Sequence, residues 1–344
     1  MVNAHMRRAA AAARFAGSPS GRTRRLVGAP LAGGRVPLLA STASMFDRLT
    51  LAEDLVDCRG GVLASRGQVV SLQAIAEVAR RAPALPRRRL ADTALAAEVA
   101  FPLEAPAYQP LLARGAGVAV QRALCSAPLP EVLVEELLAA GREAPALLRH
   151  GLVTAAVTVR MLLTAARETR AIPELAAAAL VHDLGMRHLP RRLLQHREPL
   201  PLEQVERIAA HPILGAYRLA HVMGSHPAVA AAQGHHWRCG QGYPGLPRQP
   251  ARSIEVIAVA SAFAALTQPR PYRSGPYDAR GAADVLVGEV ATGHADANTV
   301  RLLVHALRGG AGDLRTVRFG ATHRGDEPQE NRHHAVGSPS RSLL

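Results

Sequence analysis

Histidines set inside apolar sequence are the strongest constraint on this chain. His150, His182, His211, His235 and His236 each lie in an apolar stretch, and Asp183 directly follows His182. A buried imidazole has to find a partner, because an unpaired polar group in an apolar setting is costly. Taken singly, each of these histidines reads first as a hydrogen-bonded core or surface residue. Taken together they read differently, because imidazoles and a carboxylate are the ligand types that hold divalent transition metals. A helical bundle assembles such a site from side chains that face inward on different helices.

The composition makes helices the expected frame. Of the 344 residues, 48% are hydrophobic but only 3% aromatic, so the core must be built from Ala, Leu and Val. Ala and Leu are strong helix formers. From Pro130 onward the chain reads as helix after helix: 131–141, then 144–169 with His150, and a third from Pro173 to 184 with His182 and Asp183 near its end. A fourth spans 201–223 and carries His211, where Pro212 should disturb the hydrogen-bond ladder. Helices at 227–236, 253–266, 281–291 and 299–307, the last capped by Asp296, complete the set.

Upstream the pattern changes. Leu55-Val56-Asp57, Gly61–Ala64 and Gly67–Val70 read as short extended pieces, and Ser71 is placed to cap a helix over Leu72–Arg81. The fold class expected is mainly α: a bundle over 131–308 behind a small α+β module over 45–100. The proline-rich stretch 101–130 reads as a linker, and 309–344 as a disordered tail.

The formal charge of +14 resembles a nucleic-acid signal, yet seven arginines and no acid fall in the first 35 residues. Half the excess therefore sits in one terminal stretch, and 1–40 reads as a disordered basic leader or an early start codon. DNA binding is not the expected function. Cys58, Cys125 and Cys239 form no CxxC pair, which suits a reducing cytoplasm. The apolar runs near 175–181 and 254–266 are shorter than the roughly 20 residues a bilayer requires, so no membrane segment is expected.

Specific motifs then add a family. Residues from about 146 to 308 resemble the HD-GYP branch of the HD-domain metal-dependent phosphohydrolases. The resemblance rests on His150-Gly-Leu-Val153, Leu180-Val181-His182-Asp183-Leu184-Gly185, and the run from Pro190 to His211-Pro212 and Gly215. Gly242-Tyr243-Pro244 and Arg270-Pro271-Tyr272-Arg273 complete it. It implies an HD-type bundle holding iron or manganese, mono- or binuclear, and acting on cyclic di-GMP or a related cyclic dinucleotide. By position it assigns His150, His182, Asp183, His211, His235 and His236 as metal ligands, with His182 and Asp183 the catalytic pair. Tyr243, Arg270 and Arg273 would meet guanine or phosphate, for which arginine offers a bidentate fork.

The departures from the family pattern fall on the chemistry. Ser261 stands where the family has a metal-binding aspartate, Ala264 replaces a second aspartate, and Met186 replaces the lysine after the HD pair. Arg187, one position along, is a possible substitute cation. Ala146 replaces a glutamate found in three-metal members, which makes a third ion unexpected. The segment His235 to Pro244 is one residue short. The loop is the expected place for that deletion, because removing a residue from a helix rotates everything beyond it by about 100°. A thinned ligand set on an intact frame implies impaired catalysis. A working phosphodiesterase and a non-catalytic nucleotide-binding or protein-interaction module remain the alternatives, with signalling proteins as partners.

Overall fold

The computed structural model describes residues 47–332, apart from 84, 100–103, 167–168 and 321. The expected leader 1–40 and the last residues of the expected tail lie outside that range. The described residues belong to one compact unit.

The N-terminal module is built from two antiparallel strand pairs. β1 (Arg48–Thr50), absent from the sequence reading, precedes β2 (Leu55–Val56), β3 (Val62–Ala64) and β4 (Val69–Ser71). β1 pairs with β4 and β2 with β3. Helix α1 (Leu72–Arg81) starts where expected, with the Ser71 hydroxyl accepting from the Ala74 N–H. β5 (Arg87–Arg89) then crosses the module boundary.

Residues 104–130 are not a simple linker. α2 (Gln109–Leu112) and α3 (Ala116–Cys125) fold there, and β6 (Pro128–Pro130) pairs with β5. Val120 and Leu124 of α3 are buried. The prolines that suggested irregular chain mark helix starts instead. Pro106 and Pro110 occupy first turns, where the missing N–H costs nothing.

The bundle follows: α4 (Glu131–Glu143), α5 (Pro145–Ala165), α6 (Ala171–Val181), a 3-10 turn over Leu184–His188 and the single turn α7 (Arg191–Leu194). Next come α8 (Leu202–Ala209), α9 (His211–Met223), α10 (Pro227–Gly234), α11 (Arg252–Thr267), α12 (Ala279–Ala291) and α13 (Ala297–Leu307). The fold is mainly α with a small strand module, as the composition implies. The expected helix 201–223 is two helices, because Pro212 ends one ladder and begins another in its own first turn.

Helix α5 is the axle of the bundle. Leu148, Leu152, Ala155, Ala156 and Val159 pack into one core with α6, α9 and the module's Leu51, Val70 and Ile75. Val153, Val157 and Met161 pack into a second core with Phe263, Leu286, Val300 and Leu303. By length and composition this helix could cross a membrane, a property the sequence reading did not assign to it. Here it is sheathed by protein on both sides, as an all-round apolar helix in a core is. Residues 309–332, expected as tail, fold back on the bundle, with Asn331 bridging Arg273.

A buried ion pair joins α4 to α9. Arg218 donates from Nε to Glu136 Oε2 at 3.1 Å, its Nη2 lies 3.0 Å from the same oxygen as an ion pair, and the two side chains are 2% and 1% exposed. Arg187, in the 3-10 turn, lies 3.6 Å from Glu136 and from Glu143. Burial pushes the Glu136 carboxyl up despite the two arginines. Glu136→Ala strands Arg218 in the core and is expected to cost about 3–5 kcal/mol in urea denaturation.

His188 ends that turn, and its Nε2 has no hydrogen-bond partner. Burial, then Arg187 and Arg218, lower it to about 4 from an ordinary 6.5. The unfolded chain therefore binds a proton that the folded one refuses as pH falls from 6.5 to 4. Stability is expected to drop on acidification through that window, by about 3 kcal/mol for this group. Denaturant melts of wild type and His188→Gln between pH 7 and 4 measure it, and parallel curves would remove the assignment.

Candidate metal centre

Three of the histidines stand at helix ends, and the ends decide how they point. The last carbonyls of a helix lack an intrahelical N–H partner. His182 caps α6 and its Nδ1 lies 2.6 Å from Ala179 O. His235 caps α10 and its Nδ1 lies 3.0 Å from Ala232 O. His211 begins α9, with Nδ1 2.6 Å from Ile208 O. In a continuous helix that carbonyl would receive the N–H of residue 212, which is a proline and has none. In each case Nδ1–H donates to a carbonyl, which leaves Nε2 as a bare acceptor. All three Nε2 atoms point into the bundle.

Close main-chain contacts bring the helix ends together. A Cβ on Gly185 would lie 2.0 Å from His211 O and 2.6 Å from Gly215 N. Backbone thus packs on backbone where the turn after Asp183 meets α9. On the other side, a Cβ on Gly151 would lie 2.4 Å from Leu180 O. That contact sets α5 against α6 and His150 beside His182, with ring centroids 5.3 Å apart.

The six sequence-assigned ligands form two adjoining groups: His211, His235 and His236, and His150, His182 and Asp183. His211 Nε2 is 3.0 Å from His235 Nε2 and 3.2 Å from His236 Nε2. Asp183 reaches toward both groups. Its Oδ1 is 3.1 Å from His211 Nε2 and 3.7 Å from His235 Nε2, and its Oδ2 is 3.9 Å from His150 Nε2. Both His235 and His236 reach the cluster, which agrees with a shortened loop rather than a shortened helix.

The donor count identifies what this arrangement fits. Asp183 Oδ1 is buried and has no donor. The Nε2 atoms of His211 and His235 face it and each other with no hydrogen to share. Three acceptors turned on one point suit a cation and repel one another otherwise. Burial holds His182, His235 and His236 below the ordinary imidazole range, the latter two well below it. Neutral imidazoles around an ionised carboxylate are the protonation state that metal ligation needs.

The remaining assigned residues divide. Tyr243 stacks on His236 at 4.4 Å, with its hydroxyl 3.3 Å from His236 Nε2. Burial raises that phenol above its ordinary value, so it stays a donor. Arg270 reaches the rim, Nη2 lying 3.5 Å from His150 Nδ1. Arg273 does not reach the cluster: its guanidinium caps α11 by donating to the carbonyls of Ala265, Leu266 and Gln268. Arg187 does not stand in for the missing lysine, because Glu136 and Glu143 hold it. Ser261 lies between His150 Nε2 at 3.2 Å and His182 Nε2 at 3.1 Å. Gln268 was not singled out in the sequence, yet its Oε1 is 3.3 Å from His150 Nδ1. It caps the C-terminus of α11, seven residues after Ser261.

Residues 133–299 match the family model described as HD domain. This part of the chain is an HD domain. Over 128 residues the chain is 33% identical to the 3'3'-cGAMP-specific phosphodiesterase 1 of Vibrio cholerae serotype O1. That segment covers 36% of this chain and 30% of the relative's length. The HD domain here carries the histidine cluster and the Gly-Tyr-Pro loop, with Ser261 between His150 and His182. Gly185→Ala should force the turn away from α9. A loss of about 3 kcal/mol in thermal denaturation is expected, as for other overpacked contacts, and an unchanged melt would show that the glycine contact does not set the frame.

Proposed function

We propose that this chain is a metal-dependent protein of cyclic dinucleotide signalling whose phosphodiester hydrolysis is impaired. The cluster of Asp183 Oδ1, His211 Nε2 and His235 Nε2 carries the reading. His236 adjoins it as a fourth ligand. A divalent ion held there would supply a Lewis acid and lower the pKa of water, the chemistry that phosphodiester hydrolysis uses. Iron or manganese suits a site of imidazoles and carboxylate.

The chain's own residues define the rest. Arg270, half-buried at the rim, is oriented to receive a phosphate, and the Tyr243 ring offers a face and a hydroxyl to a base. The similarity to an enzyme named for 3'3'-cGAMP supports a cyclic dinucleotide as the ligand class, with cyclic di-GMP and 3'3'-cGAMP both in scope. Three observations support weakened turnover. Ser261 brings no charge to its side of the site, Met186 brings none after Asp183, and Arg187 is committed to Glu136 and Glu143. The unpaired cysteines fit a reducing cytoplasm.

Purified protein reconstituted with manganese or iron is expected to retain the metal and to cleave cyclic di-GMP or 3'3'-cGAMP slowly. His211→Ala should lose both properties. Protein that retains no metal and leaves both nucleotides intact would refute the reading. Tight nucleotide binding in calorimetry without cleavage would leave a binding module in its place.

A further inference from the structure

The half of the site around His150 is wired differently from the half around His211. We infer that His150, Ser261 and His182 form a closed hydrogen-bonded chain, with His150 carrying its hydrogen on Nε2, so that His150 is not a metal ligand and the domain holds one ion rather than two.

The outer edge of His150 meets two donors. Its Nδ1 faces Arg270 Nη2 at 3.5 Å, and a guanidinium can only donate. The same Nδ1 faces the Gln268 amide at 3.3 Å, whose own Nε2 has no partner. Turning that amide about its last bond exchanges two atoms of equal size. It then directs the unpaired N–H onto His150 Nδ1 and satisfies both. Two neighbours therefore agree that Nδ1 accepts. In a neutral imidazole the hydrogen must then sit on Nε2.

The inner edge completes the chain. His150 Nε2–H points at Ser261 Oγ, 3.2 Å away, and donates to it. Ser261 passes its single hydrogen to His182 Nε2 at 3.1 Å. His182 Nδ1–H ends the chain on Ala179 O. From His150 Nδ1 to Ala179 O, each imidazole nitrogen and the hydroxyl along the chain then has a partner. The opposite assignment fails on counting. With the hydrogen on Nδ1, two bare Nε2 atoms would compete for one hydroxyl hydrogen, and an N–H would face the Arg270 guanidinium.

The contrast with the other half is the point. Around His211 the lone pairs of Asp183 Oδ1, His211 Nε2 and His235 Nε2 converge, which fits a cation. Around Ser261 donors and acceptors are matched, which excludes one. A carboxylate in place of Ser261 would bring two acceptors and no hydrogen. The chain could not close, and the lone pairs would again converge. One side-chain exchange thus converts a ligand cluster into a neutral relay of hydrogen bonds that holds His182 beside Asp183. His150 and Ser261 are positioning residues in this scheme.

The ion count rests on the metal-dependent reading above, whereas the hydrogen position on His150 does not. Metal content by inductively coupled plasma mass spectrometry should give one manganese per chain for wild type and for both His150→Ala and Ser261→Ala, and none for His211→Ala. Two ions in wild type, or loss of the ion in His150→Ala with a native circular dichroism spectrum, would overturn the inference. Nitrogen-15 spectra of the zinc-substituted protein, with His150→Ala assigning the resonances, should show His150 protonated at Nε2 and the other ligand imidazoles at Nδ1. A His150 protonated at Nδ1 would also overturn it. Wild type that takes up no ion would instead strike the metal-dependent reading, and the nitrogen spectra of the metal-free protein would decide His150 alone.

Discussion

The site depends on carbonyl groups that helices cannot satisfy. Ala179, Ile208 and Ala232 each present an oxygen at a helix break, and an imidazole Nδ1 fills each one. The backbone thereby chooses the tautomer and the direction of three side chains at once. No surface polar group could do this, because water would satisfy the carbonyls equally well. Burial makes the exchange obligatory, and the ligand-facing lone pairs are its by-product.

The clustered residues are also tied to the N-terminal module. Asp183 runs directly into the 3-10 turn that carries Arg187 to Glu136, and Glu136 is held by Arg218 of α9, the helix that His211 begins. The module packs on that same helix, sharing its core through Val70 and Ile75, with Gln68 donating to Tyr217. Asp183 and His211 are therefore anchored to a common charged cluster at one end and to each other at the other end. A change in how the module seats on α9 has a short physical route to both.

Much of this was legible in the sequence, for identifiable reasons. Helices rich in Ala and Leu announce themselves by propensity, and Ser71, Asp296 and Pro212 mark boundaries through chemistry local to the chain. The histidine set was visible because imidazoles are rarely placed in apolar runs without a partner. What escaped depended on contacts distant in sequence. The stretch 104–130 looked like linker because its prolines stand at helix starts rather than between elements. Arg273 looked like a phosphate ligand, but its guanidinium is consumed by the end of α11. Gln268 had no motif, only its place at the C-terminus of α11. Arg187 illustrates the same limit, since only the fold shows that Glu136 and Glu143 have claimed it.

The contact between Gly185 and Gly215 separates two kinds of mutational tolerance. Because main chain touches main chain there, the spacing of the helices owes nothing to the identity of the ligands they carry. A ligand can be exchanged for an uncharged hydroxyl and the scaffold will still form. A methyl group added to the scaffold cannot be absorbed in the same way. Evolution can therefore rewrite the chemistry of such a domain one side chain at a time, while the two glycines keep the address at which any new chemistry must be delivered.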